Sequence, residues 1–285
     1  MSFAIIAFPR TGSTHLTNLL HAQRDIFCNG EICHKRKVYV RWDKTDQDAQ
    51  VLSELAELRN RAPQMFLDRI FAMDYGRREV GFKIFEGQNK GIFTALLDNS
   101  EIKKIVLFRR NVLANYSSKL IALESGKYQL GKKAARRGPS DSPLVYFEGK
   151  AFVRFCRRYH RYYSNIMSRL REIGQYYYLI NYEDINEPEV FANLLRFLGS
   201  DVADAELQGR IIKQNPPHIV SRFANADDVE EFLRQHNLMH WAYEGELSLG
   251  PLDASTDDLG DVKEADEVSE NVLETRDDMS EGRLL

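Results

Sequence analysis

An α/β fold with a mainly parallel central sheet flanked by helices, three layers in all, is what this chain predicts. Short apolar runs at Ala4 to Phe8, within Lys104 to Phe108 and within Tyr176 to Asn181 have the character of strands covered on both faces. Each leads into a stretch with helical spacing of its apolar residues. Alternation of that kind builds a parallel sheet with helices packed against it.

The first element is the most informative. Phe3 to Leu20, FAIIAFPRTGSTHLTNLL, reads as a strand, a tight turn and the start of a helix. Pro9 ends the strand; Gly12 permits positive φ and close backbone approach; Ser13 or Thr14 is the expected N-cap of a helix carrying Leu16, Leu19 and Leu20. A helix start of this kind leaves amide hydrogens free and adds about half a positive charge, which favours a phosphate or sulfate oxygen. Arg10 adds a fixed cation. The Walker pattern GxxxxGK[ST] is not met, because no lysine follows the glycine, and this weakens an ATPase reading.

The following segment, Asp25 to Lys37, is expected to fold over the mouth of that turn. It carries Cys28, Glu31, Cys33 and His34, but C-x4-C-H lacks the paired spacing and the fourth ligand of a structural zinc site, and no metal is expected. Lys44 to Met73 reads as helices, the second begun by Pro63. Glu79 to Phe85 is a strand bearing Lys83, and Asn89 to Leu97 is a helix. The strand ending at Phe108 runs into Arg109 and Arg110, with Asn111 as the expected cap of a helix that holds Ser117 and Ser118. Gly126 to Pro143 is a basic loop that either closes over a ligand or is a solvated connection. Gly149 to Ile173 is a long helix with Arg154, Arg157, Arg158 and Arg161 on one face. Tyr176 to Asn181 ends in N-Y-E-D, read as fixing the strand's exit, and Pro188 opens an amphipathic helix. Lys213 to Leu233 carries two further cations, Lys213 and Arg222, with a helix from Asp227.

The whole chain, 285 residues with 43% hydrophobic and 28% charged side chains, has the composition of a soluble globular protein. Charge is uneven. The stretch from Pro251 onward holds twelve acidic against three basic residues, net −9; with −3 for the chain, the body is +6. A mildly basic body suits an anionic ligand and does not call for nucleic acid. Three cysteines form no paired framework and read as reduced thiols. No signal peptide or membrane-length apolar run is present, so a cytoplasmic protein is expected. The expected organisation is one α/β domain over 1–245 and an acidic, disordered tail over 246–285.

The turn P-R-T-G-S-T resembles the 5'-phosphosulfate loop of sulfotransferases that use 3'-phosphoadenosine 5'-phosphosulfate (PAPS). In that family an arginine ending a later strand and a serine eight positions on hold the donor's 3'-phosphate. Arg110 and Ser118 match that offset. Arg109 and Ser117 share it, but Asn111 after Arg110 fits the family pattern better. The glycine-glutamate pair Gly30-Glu31 is similar to the bacterial carbohydrate and nodulation-type branch, in which such a Glu is the candidate base. The Y-E-D tripeptide and Lys213 to Leu233 are also similar to the family, a resemblance that leaves Lys213 and Arg222 open to a role at the nucleotide. The cytosolic animal branch carries a histidine two positions after the strand lysine, and here that position is Phe85, which moves the expected base to Glu31. His34 is the competing base.

The resemblance implies a P-loop-NTPase-like sulfotransferase fold and PAPS as co-substrate. The acceptor would be a small-molecule, glycan or lipid hydroxyl. Arg10, Thr11, Gly12, Ser13 and Thr14 would hold the 5'-phosphosulfate, with Arg10 and Lys83 assisting transfer. No metal, nucleic acid or transmembrane segment is implied, and neither the acceptor nor the oligomeric state is specified. Two other classes use similar elements: a small-molecule kinase, which needs Mg²⁺ and a loop lysine, and a non-enzymatic nucleotide-binding regulator.

Overall fold

The computed structural model describes residues 2–34, 37–41, 49–126, 142–200 and 216–245. Most of the basic loop, Lys213 and the acidic tail lie outside them. The described residues form two compact units. One holds 2–110 with 161–200; the other holds 111–160 with 216–245.

The first unit contains the sheet. Strands β1 (Ser2–Ala7), β2 (Ile26–Cys28), β3 (Glu79–Phe85), β4 (Ile102–Phe108) and β5 (Tyr177–Asn181) lie in the order β2-β3-β1-β4-β5. Every pairing is parallel. The central strand is fully buried from Phe3 to Ala7, as expected of a strand covered on both faces. From β1 the chain moves to β2 on one side, and from β4 it moves to β5 on the other. The carboxyl ends of β1 and β4 therefore flank a topological switch point, where open α/β sheets bind ligands.

Helices α1 (Ser13–Ala22), α2 (Ala49–Arg61), α3 (Pro63–Phe71), α4 (Lys90–Asp98) and α7 (Pro188–Leu198) belong to this unit. Pro63 and Pro188 occupy first-turn positions, where a missing N–H costs nothing. Asn89 caps α4 by accepting the Ile92 N–H at 2.9 Å. Leu16, Leu20, Phe191, Leu194 and Leu198 join residues of β1 and β4 in one buried cluster, and such side chains contribute about 1.5–3 kcal/mol each on burial. From α6 (Gly149–Glu172), Tyr162 donates its hydroxyl to the Ala7 carbonyl at 3.1 Å and Tyr163 donates to that of Leu107 at 2.6 Å. The Tyr163 oxygen also accepts the Phe8 N–H at 3.0 Å. These bonds fix the carboxyl ends of β1 and β4.

In the second unit, α5 (Val112–Ser125) is capped by Asn111, which accepts the Ala114 N–H at 2.9 Å and donates to the carbonyls of Trp241 and Tyr243 at 3.1 Å each. Phe147, Phe152, Phe232 and Trp241 form an aromatic cluster with the start of α6 and with α8 (Ala226–Gln235). Arg222 is buried on the carboxylate of Glu244 at 2.5 Å, on the Pro216 carbonyl and on the Ser117 hydroxyl at 3.1 Å. The arginine considered for nucleotide contact is thus engaged inside its own unit. Among the described residues no helix is long and apolar enough to cross a membrane.

Candidate active site

The turn after β1 is built by two left-handed residues, Arg10 at φ +69° and Gly12 at φ +81°. Thr11 lies between them, buried, its hydroxyl donating to the Phe8 carbonyl at 2.8 Å. Gly12 itself is the N-cap of α1, not Ser13 or Thr14 as the sequence suggested. The reason is steric. The turn needs αL backbone at the cap, which glycine adopts freely, and a glycine cap provides no side-chain acceptor. Among the described residues no acceptor is found for the amide hydrogens of Ser13 and Thr14. A non-glycine residue held in αL costs of order 1–3 kcal/mol and is a frequent mark of a binding loop. The loop and the free helix start fit a sulfate or phosphate group.

Lys83, near the end of β3, reaches this loop. Its ammonium donates to the Thr14 hydroxyl at 2.8 Å and pairs with Glu31 Oε1 at 3.2 Å. The pairing follows from the sheet. Beyond β2 the chain continues alongside β3, with the Asn29 N–H on the Gly81 carbonyl at 2.6 Å and the Lys83 N–H on the Gly30 carbonyl at 3.2 Å. This register brings Glu31 to the lysine. Its second oxygen, Oε2, accepts from the Gln88 amide at 3.1 Å, while Gln88 Oε1 accepts the Phe85 N–H at 3.1 Å. Burial pushes the Lys83 ammonium below its usual pKa, and the neighbouring Glu31 carboxylate opposes that shift. The sequence does not single out Gln88; its only signal is its place in the turn directly after the lysine strand.

The end of β4 is organised by the N-Y-E-D segment. The Arg110 backbone N–H donates to Asn181 Oδ1 at 3.2 Å, and its guanidinium Nη2 meets Asp184 Oδ2 at 3.2 Å. Arg109 is buried. Its guanidinium lies over the Tyr182 ring at 4.5 Å, its Nε is 3.9 Å from Glu183, and its Nη1 donates to the Arg10 carbonyl at 3.4 Å. Burial raises the Glu183 pKa, with the Arg109 charge acting against it. Tyr182 also covers the first loop, since a Cβ built on Gly12 would lie 2.2 Å from its Cδ2. From sequence the tripeptide reads as a strand-exit feature; it also connects both arginines and the glycine turn.

Ser118 belongs to the second unit, buried on α5. His34 closes the turn after Glu31 by donating its N–H to the Glu31 carbonyl at 3.3 Å, and its ring meets Tyr39 edge-on at 5.3 Å. The Cys28 and Cys33 thiols are buried and pushed up to about 12 by that burial, which makes them poor nucleophiles and poor metal ligands at neutral pH. Among the described residues no group of three or more His, Cys, Asp or Glu could hold a metal ion.

Loop, lysine-glutamate pair and arginines thus gather at the carboxyl ends of β1, β3 and β4, the edge at which open α/β sheets bind ligands. No protein-family model matches the chain. Among curated proteins it is 28% identical over 219 residues to nodulation protein H of Rhizobium meliloti (strain 1021), a match covering 74% of this chain and 83% of that protein. Solved structures with partial overlap include a sulfotransferase from Alicyclobacillus acidocaldarius, with TM-score 0.43 and 15% identity over 84% of this chain and 93% of that one. The sulfotransferase domain of the curacin biosynthetic pathway overlaps with TM-score 0.46 and 14% identity, covering 90% and 95% of the two chains. By sequence, then, the chain is similar to nodulation protein H over most of the length of both proteins.

Proposed function

We propose that the chain moves the sulfuryl group of PAPS to the hydroxyl of a carbohydrate, lipid or other small-molecule acceptor, with Glu31 as the base. The observation that carries this reading is the meeting of Glu31, Lys83 and Thr14, from three different elements, beside a loop whose helix start favours an anion. In the reaction the acceptor oxygen attacks sulfur and the bond from sulfur to the bridging phosphate oxygen breaks. Glu31 takes the hydroxyl proton, and adenosine 3',5'-bisphosphate leaves with the electron pair. Arg10, Thr11, Gly12, Ser13 and Thr14 hold the 5'-phosphosulfate, and Lys83 supplies positive charge where the leaving oxygen develops its own. Arg10 and Lys83 neutralise the leaving phosphate, so no metal is assigned.

Arg110 holds the 3'-phosphate together with Ser118, an assignment supported by the eight-residue offset between them. The domain responsible spans 1–245, and the expected compartment is the cytoplasm.

Thermal shift with adenosine 3',5'-bisphosphate against ATP and Mg²⁺ tests the donor. Stabilisation by the bisphosphate is expected, and a shift with ATP and Mg²⁺ alone would point to a kinase. Labelled PAPS offered to a metabolite extract then finds the acceptor. With that acceptor, Glu31→Gln should lose about 100-fold or more in turnover while bisphosphate affinity stays at the wild-type value. Retained turnover would move the base to His34.

A further inference from the structure

The N-Y-E-D segment is assigned no chemical role by the sulfuryl-transfer reading, yet three of its polar side chains meet the two arginines at the end of β4. The set around Arg110 is closed. Asn181 Oδ1 accepts the Arg110 backbone N–H at 3.2 Å, Asn181 Nδ2 donates to Asp184 Oδ2 at 3.3 Å, and the same Asp184 oxygen takes the Arg110 Nη2 at 3.2 Å. Main chain and guanidinium are therefore held from one side by neighbours on β5 and the turn after it. Arg110 offers five N–H donors in a rigid fork. Among the described residues no other side chain takes those that Asp184 leaves. The fork is only half-buried, so its unused edge is open to a ligand.

We infer that Asp184 is a positioning residue for phosphate selectivity: by holding one arm of Arg110 it presents the other arm to the donor's 3'-phosphate. This rests on the donor reading proposed above. A mobile arginine must be ordered when the anion binds, and a pre-set fork avoids that cost. The carboxylate itself does not touch the phosphate. Its effect is therefore confined to ligands that carry a 3'-phosphate, whereas a merely structural role in the turn would weaken every nucleotide alike.

Calorimetric titration of the full chain with adenosine 3',5'-bisphosphate and with adenosine 5'-monophosphate separates these cases without any acceptor. The wild type should prefer the bisphosphate, and Arg110→Ala should abolish the preference. Asp184→Ala should reduce it about tenfold by weakening the bisphosphate alone. Asp184→Asn keeps an oxygen acceptor for Arg110 and the same side-chain shape, and should retain most of it. A wild-type ratio in Asp184→Ala, or an equal loss for both nucleotides in Asp184→Ala and Asp184→Asn, overturns the inference while leaving the donor reading intact. If Arg110→Ala keeps the preference, or the wild type shows none, the donor assignment fails and the role of Asp184 fails with it.

Discussion

A side chain at position 12 would place its Cβ 2.2 Å from Cδ2 of Tyr182, on a backbone at φ +81°. Two penalties combine there: about 1–2 kcal/mol for a non-glycine residue in αL and about 1–3 kcal/mol for overpacking. Gly12→Ala should therefore lower stability in denaturant unfolding by roughly 2–5 kcal/mol. Adding Tyr182→Ala separates the two, because in that background the Gly12→Ala step should cost only the αL part. An equal cost with and without Tyr182 would show that the ring does not set the constraint. Gly12, Arg10, Glu31 and Lys83 are legible in the sequence as candidates because each is a chemically marked residue at a turn or strand end. Gln88 and Tyr182, which the structure places beside them, are not. Gln88 meets Glu31 across 57 residues, and Tyr182 meets a residue near the other end of the first unit; neither distance leaves a local pattern. Glu31 as a candidate base needed only its residue type, whereas the two donors that hold its carboxylate needed the register of the sheet.

The elements follow the same division. Strand β3 spans Glu79–Phe85 as its apolar character suggested, and β1, β4 and β5 differ from expectation only at their ends. The three-residue strand β2 was not seen, since Ile26 to Cys28 is too short to show a period and is defined by pairing with β3. The N-cap of α1 lies at Gly12, one or two residues before the expected Ser13 or Thr14, because sequence preference ranks Ser and Thr above Gly, whereas the loop geometry required αL. Strand β4 also carries a buried cation. Lys104 is fully buried, its ammonium on the Asn99 carbonyl and on Gln175 Oε1 at 3.1 Å, and burial lowers its pKa to about 8. An unfolded lysine titrates near 10.4. Between those values the unfolded chain binds more protons than the folded one, so this residue's contribution to stability rises with pH. Below about pH 8 both states carry the charge and the burial penalty is complete. The stability of the wild type relative to Lys104→Met should accordingly increase from pH 8 to 10, by on the order of 1–3 kcal/mol. A difference that stays flat over that window, measured by urea unfolding at each pH, would show that Lys104 titrates as an exposed lysine does.

At the scale of the molecule, the sequence showed strand and helix alternation and the unequal distribution of charge, but not the division of the described residues into two units. The second unit assembles from 111–160 and 216–245, segments far apart in the chain, and its polar anchor could not be inferred from either alone. Arg222 was open to a role at the nucleotide; its side chain is instead fully buried, with the Glu244 carboxylate, itself almost buried, as its ionic partner. A guanidinium in that setting is tolerated only while the carboxylate and the Pro216 and Ser117 oxygens remain. Removing Glu244 alone takes away the carboxylate paired with this buried guanidinium, a change that costs about 3–5 kcal/mol. Trp241, buried in the same unit with its carbonyl on Asn111 and its ring against Phe152, supplies the signal. Of the two tryptophans in the chain the other is Trp42, so a Trp42→Phe background isolates it. In that background Glu244→Ala should reduce the stability reported by Trp241 fluorescence by the stated amount. Replacing both partners, Arg222→Met with Glu244→Leu, should recover much of the loss, since an apolar pair of similar volume avoids the desolvation cost that the ions carry. If Glu244→Ala leaves the Trp241 transition where it was, the pair does not hold the second unit together.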